Sequence, residues 1–180
     1  MADYAPLIRP TLVIIGRVGK AGISMSPVIR RADESHAQTV HHIMSAIPWI
    51  SEAVKSRDGF IKLKELCVHG EVFVITVNFI ISSIMILKKD NWTESDGHNI
   101  WTIPLIATIE AERRKGHARK LVRKAKQIVG NGVIQAYVEN DKSLSLLVSE
   151  GFVPVEGRTD LSGHPLYEWT ANSASESGGT

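Results

Sequence analysis

The 180-residue chain has little of several things. It has one cysteine, Cys67, which excludes a disulfide framework within the chain and suits a reducing compartment. It has no long apolar run. The longest uncharged stretch, Val72 to Leu87, has 16 residues and is interrupted by Thr76, Asn78, Ser82 and Ser83. A membrane-spanning helix needs about 20 apolar residues, so this stretch reads as two strands. The apolar patch Leu12–Ile15 is too short for the core of a signal peptide, and the expectation is a soluble cytoplasmic protein. The seven histidines form no H-x-H or H-x-x-x-H pair, so no metal site is expected. There is no G-x-S-x-G elbow and no internal repeat. Charge of one sign is also lacking overall, with 21 basic and 19 acidic residues and a net charge of +2. That balance argues against a dedicated nucleic-acid binder or a polybasic membrane protein.

What is present is a 43% hydrophobic composition, that of a globular chain, at a length suited to one domain. The charge is unevenly placed. Residues 113–126 carry eight basic residues and no acid, which leaves the remainder at −6. The protein is a mildly acidic body with one strongly basic segment.

Residues 1–27 show no sustained period and read as an irregular extension, with a short strand at 11–15. Residues 28–31 suit a first strand. Asp33 is placed to cap a helix over 34–47, in which Ala37, Val40, Met44 and Ile47 share a face, and Pro48 ends it. A second helical pattern over 51–67 is expected to break near Asp58-Gly59. Glu71–Val77 and Ile80–Leu87 read as a hairpin turned by Asn78-Phe79, a turn that lacks Gly. Residues 88–99 read as a loop and Asn99–Ile109 as a strand. The basic helix follows, with Ala118, Leu121, Val122, Ala125, Ile128 and Val129 on one face, and stops at Gly130. Val133–Val138 is a strand. Asn140 or Asp141 caps a short helix that Gly151 ends. Phe152–Val155 and Leu166–Trp169 close the sheet, and the tail 171–180 is expected to be disordered. The class is mixed α/β, or α+β, on one central sheet, with the domain spanning 28–170.

The stretch Arg113-Arg114-Lys115-Gly116-His117-Ala118 lies between a predicted strand and a predicted helix. A helix N-terminus offers unsatisfied backbone N–H groups and a partial positive charge. Gly116 and Ala118 let the backbone approach a ligand closely. The pattern fits a phosphate or pyrophosphate cradle.

R-x-x-G-x-A after a strand resembles the signature of the GCN5-related N-acetyltransferases. Asn140, Ser143, Leu147, Gly151 and Phe152 fall on that family's later pattern, N-x-x-A-x-x-x-Y-x-x-x-G-F. The resemblance implies a mostly antiparallel sheet of six to seven strands, splayed in the middle and flanked by about four helices. It implies acetyl-coenzyme A as cofactor, with the amides of Arg113 to Ala118 on its pyrophosphate. Ile106 and Thr108 would meet the pantetheine arm, with Asn140 and Ser143 across the gap. The reaction implied is direct attack on the thioester by a primary amine, on a small molecule or a peptide.

Two departures stand out. Glu110 and Glu112 occupy positions where the family carries Pro and an aromatic. Leu147 stands where many members have a proton-donating Tyr, and Leu cannot donate. The sequence identifies no base for the amine; Glu71, His98 and Glu110 flank predicted strands, and Tyr137 is a candidate acid. His117 is expected to expose its side chain and bind through its backbone. Cys67 is expected to be a buried structural thiol, and most of Trp49, Trp92, Trp101 and Trp169 to pack in the core. Residues 48–60 and 88–99 would shape the acceptor pocket. A homodimer is compatible with the resemblance. The alternatives are a coenzyme A-binding regulatory protein without catalysis and, below it, nucleic-acid binding through the 113–126 helix.

Overall fold

The computed structural model describes residues 26–47, 50–93 and 99–171. The expected strand at 11–15, almost all of the terminal extension and tail, Trp49 and His98 lie outside these residues. The chain begins with strand β1 (Val28–Arg31). Asp33 then caps a 3₁₀ turn at Glu34–His36, accepting from the Ser35 amide, and this runs into helix α1 (Ala37–Ser45).

The next helical stretch divides at Ser56, not at Asp58-Gly59. Helix α2 (Glu52–Lys55) stops there and α3 (Arg57–Val68) starts, with the Ser56 hydroxyl accepting from the Gly59 amide. Gly59 is therefore inside a helix. The reason is steric: a Cβ on Gly59 would lie 2.2 Å from the Val54 carbonyl oxygen and 2.5 Å from that of Ala53. Glycine is present because two short helices pack backbone to backbone at this point. The split brings the α-helices among the described residues to five, one more than expected.

Strands β2 (Val72–Val77) and β3 (Ile80–Thr93) form the expected hairpin. Its two turn residues, Asn78 and Phe79, both have positive φ, at 49° and 67°. A two-residue turn that matches the strand twist requires this, and Asn tolerates it. Beyond Leu87 the chain does not loop out. Strand β3 continues to Thr93 and pairs with β4 (Asn99–Thr108), so most of the predicted loop at 88–99 is strand. Ladder hydrogen bonds to β4 outweigh the polar composition that suggested a loop.

Helix α4 (His117–Val129), strand β5 (Val133–Tyr137), helix α5 (Asp141–Ser149) and strands β6 (Val153–Thr159) and β7 (Pro165–Thr170) complete the order. The seven strands among the described residues lie in the order β1-β2-β3-β4-β5-β7-β6. All neighbours are antiparallel except β4 and β5.

The sheet is covered on both faces over β2 and β3, which explains why β2 reads as a continuous apolar run. On one face Val72, Val74, Ile84 and Ile86 pack with Val40, Met44, Leu63 and Cys67 of α1 and α3. On the other, Phe73, Ile75, Met85 and Leu87 pack with Leu121, Val122 and Ala125 of α4. Each large apolar side chain buried this way contributes about 1.5–3 kcal/mol. Trp101 and Trp169 pack against the second cluster, as expected for core residues. Cys67 is buried, and burial pushes its thiol up to about 11.

Candidate functional site

The site begins with an irregularity in β4. Ile86 pairs with Leu105, whereas Lys88 pairs with Thr102. Ile103 and Pro104 together therefore oppose Leu87, a β-bulge. Proline cannot donate to a ladder, so a bulge is where a strand tolerates it. On the other side of β4, pairing with β5 covers only Ile100–Thr102 against Val133–Gln135. Strand β4 continues to Thr108 and β5 to Tyr137, but they have parted. The backbone of Ile103–Thr108 has no strand partner on that side among the described residues. This is the central splay that the family resemblance implied.

Strands β4 and β5 are parallel, so their carboxyl ends point the same way. Helices α4 and α5 therefore both begin beside the split. Parallel strands that diverge at their carboxyl ends form a crevice that ligands use. The two helix starts differ. Helix α5 caps itself: the Asn140 side chain accepts from the amides of Lys142 and Ser143, and the Ser143 hydroxyl donates to the Asn140 carbonyl. Helix α4 has no side-chain cap, and its first bond is Lys120 N–H to the Gly116 carbonyl at 3.0 Å. Its leading amides are left for a ligand. Arg114 and Gly116 are both left-handed, with φ of 63° and 77°. Such residues curl successive amides into anion-binding nests. Among the described residues, and apart from its chain neighbours, no atom lies within 4 Å of where a Gly116 Cβ would be, so the approach to this backbone is open.

The expected cofactor residues fall into three groups. Arg113 to Ala118 form the loop and the start of α4. Ile106 and Thr108 lie on β4 beyond the bulge. The Thr108 hydroxyl is already bonded to Ser83 Oγ at 2.8 Å, and its carbonyl accepts from Arg113 Nε at 3.4 Å. Asn140 and Ser143 stand on the far bank, with their side chains committed to the cap. Leu147 is buried in the core. Among the catalytic candidates, Tyr137 ends β5 at the split and is 46% exposed. Glu71 lies before β2, two strands from β4. Glu110 is exposed in the 3₁₀ turn at Glu110–Glu112, 3.9 Å from Arg113.

The His117 side chain does not face solvent, contrary to expectation; only 3% of it is exposed. Position 117 precedes Leu121 by four residues and so shares the apolar stripe of α4. Its Nε2 lies 3.2 Å from the Glu112 carboxylate, and its Nδ1 is buried without a partner. Glu112 also accepts from Lys115 Nζ at 2.8 Å; Lys115 first, then His117, holds this carboxyl below its usual range. A carboxylate only accepts, so Nε2 carries the proton.

The basic helix is less free than its sequence suggested. Glu150, with 5% of its side chain exposed, meets Arg119 at 3.1 Å, Arg123 at 3.1 Å and Lys126 at 3.8 Å. Lys126 also donates to the Glu150 carbonyl and lies over the rings of Phe152 and Trp169. Only Arg114, Lys120 and Lys124 of this segment have no ion-pair partner among the described residues.

Sequence reading missed one more pair. Gln135 Nε2 donates to Glu168 Oε2 at 2.9 Å across β5 and β7. Polar residues inside V-I-Q-A-Y and L-Y-E-W-T were the available signal. Among the described residues no group of His, Cys, Asp and Glu is placed to hold a metal, and no helix is long and apolar enough to cross a membrane.

No protein-family profile matches the chain, and no curated protein matches it. Solved structures do. The PaiA N-acetyltransferase of Thermoplasma acidophilum, in complex with coenzyme A, matches with a TM-score of 0.66 at 15% identity, over 81% of this chain and 99% of that one. A GNAT-family acetyltransferase of Streptococcus agalactiae matches at 0.65 and 14%, over 82% and 96%. The diaminobutyrate acetyltransferase EctA of Paenibacillus lautus, with its substrate L-2,4-diaminobutyric acid and coenzyme A, matches at 0.62 and 13%, over 81% and 95%. At these identities the likeness concerns architecture: the seven-stranded sheet parted between β4 and β5, with α4 opening beside the gap, is the fold of the GCN5-related N-acetyltransferases.

Proposed function

We propose that this protein is an N-acetyltransferase that uses acetyl-coenzyme A and a primary amine acceptor. One observation carries the reading: α4 starts uncapped, behind a left-handed glycine, at the end of the sheet where β4 and β5 part. Free amides, the helix dipole and the side chains of Arg113, Arg114 and Lys115 suit a pyrophosphate. The loop from Arg113 to Ala118 would hold it. The backbone of β4 at Ile106 and Thr108, which has no strand partner on the β5 side among the described residues, would hold the extended arm as a strand would. Asn140 and Ser143, whose side chains and backbone are tied up in the cap of α5, would border the opposite bank by their position.

When bound, acetyl-coenzyme A supplies a thioester carbonyl, whose C–S bond breaks as the amine nitrogen bonds to carbon. The chain's tasks are to position the two reactants and to exclude water. It must also take a proton from the amine, which attacks only when neutral. Leu147 is buried and aliphatic, so the proton that the leaving thiolate takes up comes from elsewhere. Tyr137, exposed on the strand that borders the gap, is the candidate donor.

Calorimetry with acetyl-coenzyme A tests the binding step. Saturable binding below millimolar cofactor is expected. Gly116→Glu should abolish it by placing bulk and negative charge in the nest. Gly116→Asn tolerates the left-handed backbone and should weaken binding less. Absence of binding by the folded wild-type protein at millimolar cofactor would refute the reading.

A further inference from the structure

The last rung before β4 and β5 part joins three polar side chains in a row. Thr102 on β4 pairs with Gln135 on β5, and Gln135 pairs with Glu168 on β7. Register partners project from the same face of a sheet. That face is opposite α4, because Ile134 and Ala136, the neighbours of Gln135, pack with Leu121 and Val122. All three residues are half-buried. Helices α1 and α3 cover this face over β2 and β3, and β5 and β7 lie beyond them.

We infer that Glu168, oriented by Gln135, is the subsite for the protonated amine of the acceptor and takes its proton. The inference rests on the N-acetyltransferase reading and adds what the acceptor must carry. Three features of the row support it.

The carboxylate is incompletely used. Gln135 donates to Oε2, and a carboxylate has lone pairs for several donors. Oε1 is left to accept, as is the Gln135 carbonyl oxygen. Two acceptors side by side suit the three donors of an ammonium group.

The carboxylate also has no internal cation. Among the described residues none forms an ion pair with Glu168. The titratable groups on its face of the sheet, among the described residues, are Tyr137, one turn of the pleat further along β5, Lys88, which pairs with Thr102, Asp90 two residues beyond it on β3, and Arg30 of β1, which is bonded to Thr76. Lys88 is three strands away from Glu168, about 14 Å at about 4.8 Å per strand, beyond the reach of its side chain. A half-buried carboxylate on an otherwise apolar strand costs free energy unless a charge meets it. A cation arriving with the substrate would supply that charge.

Finally, the position is apt. The row ends at the rung where the sheet opens. An amine held by Glu168 stands one strand, about 5 Å, from the gap that the arm of the cofactor would occupy. Gln135 is a positioning residue in this scheme, because it acts through Glu168. The step is one proton transfer: the ammonium N–H bond breaks, the proton joins Oε1, and the amine keeps the electron pair. Glu168 then releases the proton to water.

Three probe amines with unlike tails test the assignment: 1,4-diaminobutane, 2-phenylethylamine and alanyl-alanine amide. Acetyl-coenzyme A affinity is measured first, for wild type and Glu168→Gln. Equal affinities within two-fold show that the variant is folded and that the cofactor site is separate. Amine binding is then measured by calorimetry with and without coenzyme A, so that it reads Glu168 even if the cofactor does not bind. At least one amine should bind, about ten-fold more weakly to Glu168→Gln, as expected for losing a charged hydrogen bond. With acetyl-coenzyme A, kcat/KM for that amine should fall by about 100-fold or more, and the acid limb of its pH profile should disappear. Three results would overturn the assignment. One is equal binding and turnover by wild type and variant. Another is wild-type protein that neither binds nor acetylates any probe. The third is loss of cofactor binding in both Glu168→Gln and Glu168→Ala, which would make Glu168 a support of the sheet. Failure of wild-type protein to bind acetyl-coenzyme A would instead refute the N-acetyltransferase reading, and amine binding would still decide the subsite.

Discussion

Replacing Glu150 by alanine should lower stability by about 2 kcal/mol, and the structure shows why the figure is intermediate. Removing one partner of a fully buried ion pair costs about 3–5 kcal/mol, because the other charge is stranded. At this position the carboxylate is buried, with 5% of its side chain exposed, but Arg119 and Arg123 are 50% and 64% exposed. Both guanidinium groups regain water when the carboxylate goes. Lys126 does not, since its side chain is 18% exposed and lies over Phe152 and Trp169. Burial already holds the Lys126 ammonium below its usual range, and Glu150 opposes that shift. The loss is therefore that of one buried cation left with only the backbone carbonyl of residue 150 and two ring faces, plus the side-chain link between α4 and the end of α5. For a domain of this size about 2 kcal/mol corresponds to a fall in Tm of roughly 4–8 °C. Circular dichroism melts at pH 7 would measure it. The same shift should persist at 0.5 M NaCl, because a buried carboxylate is poorly screened. Glu110→Ala is the control: an exposed pair at 3.9 Å should give no measurable change. A Glu150→Ala Tm within about 1 °C of wild type would show that the three cations do not depend on this carboxylate.

Two further outcomes follow from local geometry. Gly59→Ala should cost about 3 kcal/mol, since the added Cβ meets backbone of α2 at 2.2 Å and cannot rotate away; urea titration would show a lowered midpoint with unchanged slope. Asp33 has its carboxyl held down to about 2, first by the Ser35 hydrogen bond and then by that of His36. A depressed carboxyl stabilises the fold above its ordinary value, near 3.9, and the contribution is lost as pH falls from there through about 2. Asp33→Asn should therefore flatten the acid side of the stability profile in that window, and an unaltered profile would remove the cap from the account.

Much of the fold was legible because its signals are local. The apolar stripe of α4, the cap at Asp33, the stop at Gly130 and the two-residue turn at Asn78-Phe79 each depend on neighbours within a few residues. The loop from Arg113 to Ala118 was legible for the same reason: glycine and small residues between a strand and a helix leave few other conformations. The burial of His117 also has a local signal, since it stands four residues before Leu121 on the apolar stripe of α4. The break at Ser56 was misplaced because Gly59 resembles a helix breaker. The break is made by Ser56, extended and capping α3, while Gly59 answers a contact between two helix backbones that has no sequence period.

The sequence by itself determined the alternation of strands and helices, and it marked one segment where positive charge meets a helix start. It could not say what that charge does. Tertiary structure decided that Arg119, Arg123 and Lys126 converge on Glu150, and that the leading amides of α4 remain free. It also set Glu168 beside Gln135, 33 residues away. Such pairings depend on strand order and register. The order β5-β7-β6 sets distant segments side by side, and no local pattern of residues encodes which polar side chains then meet across it.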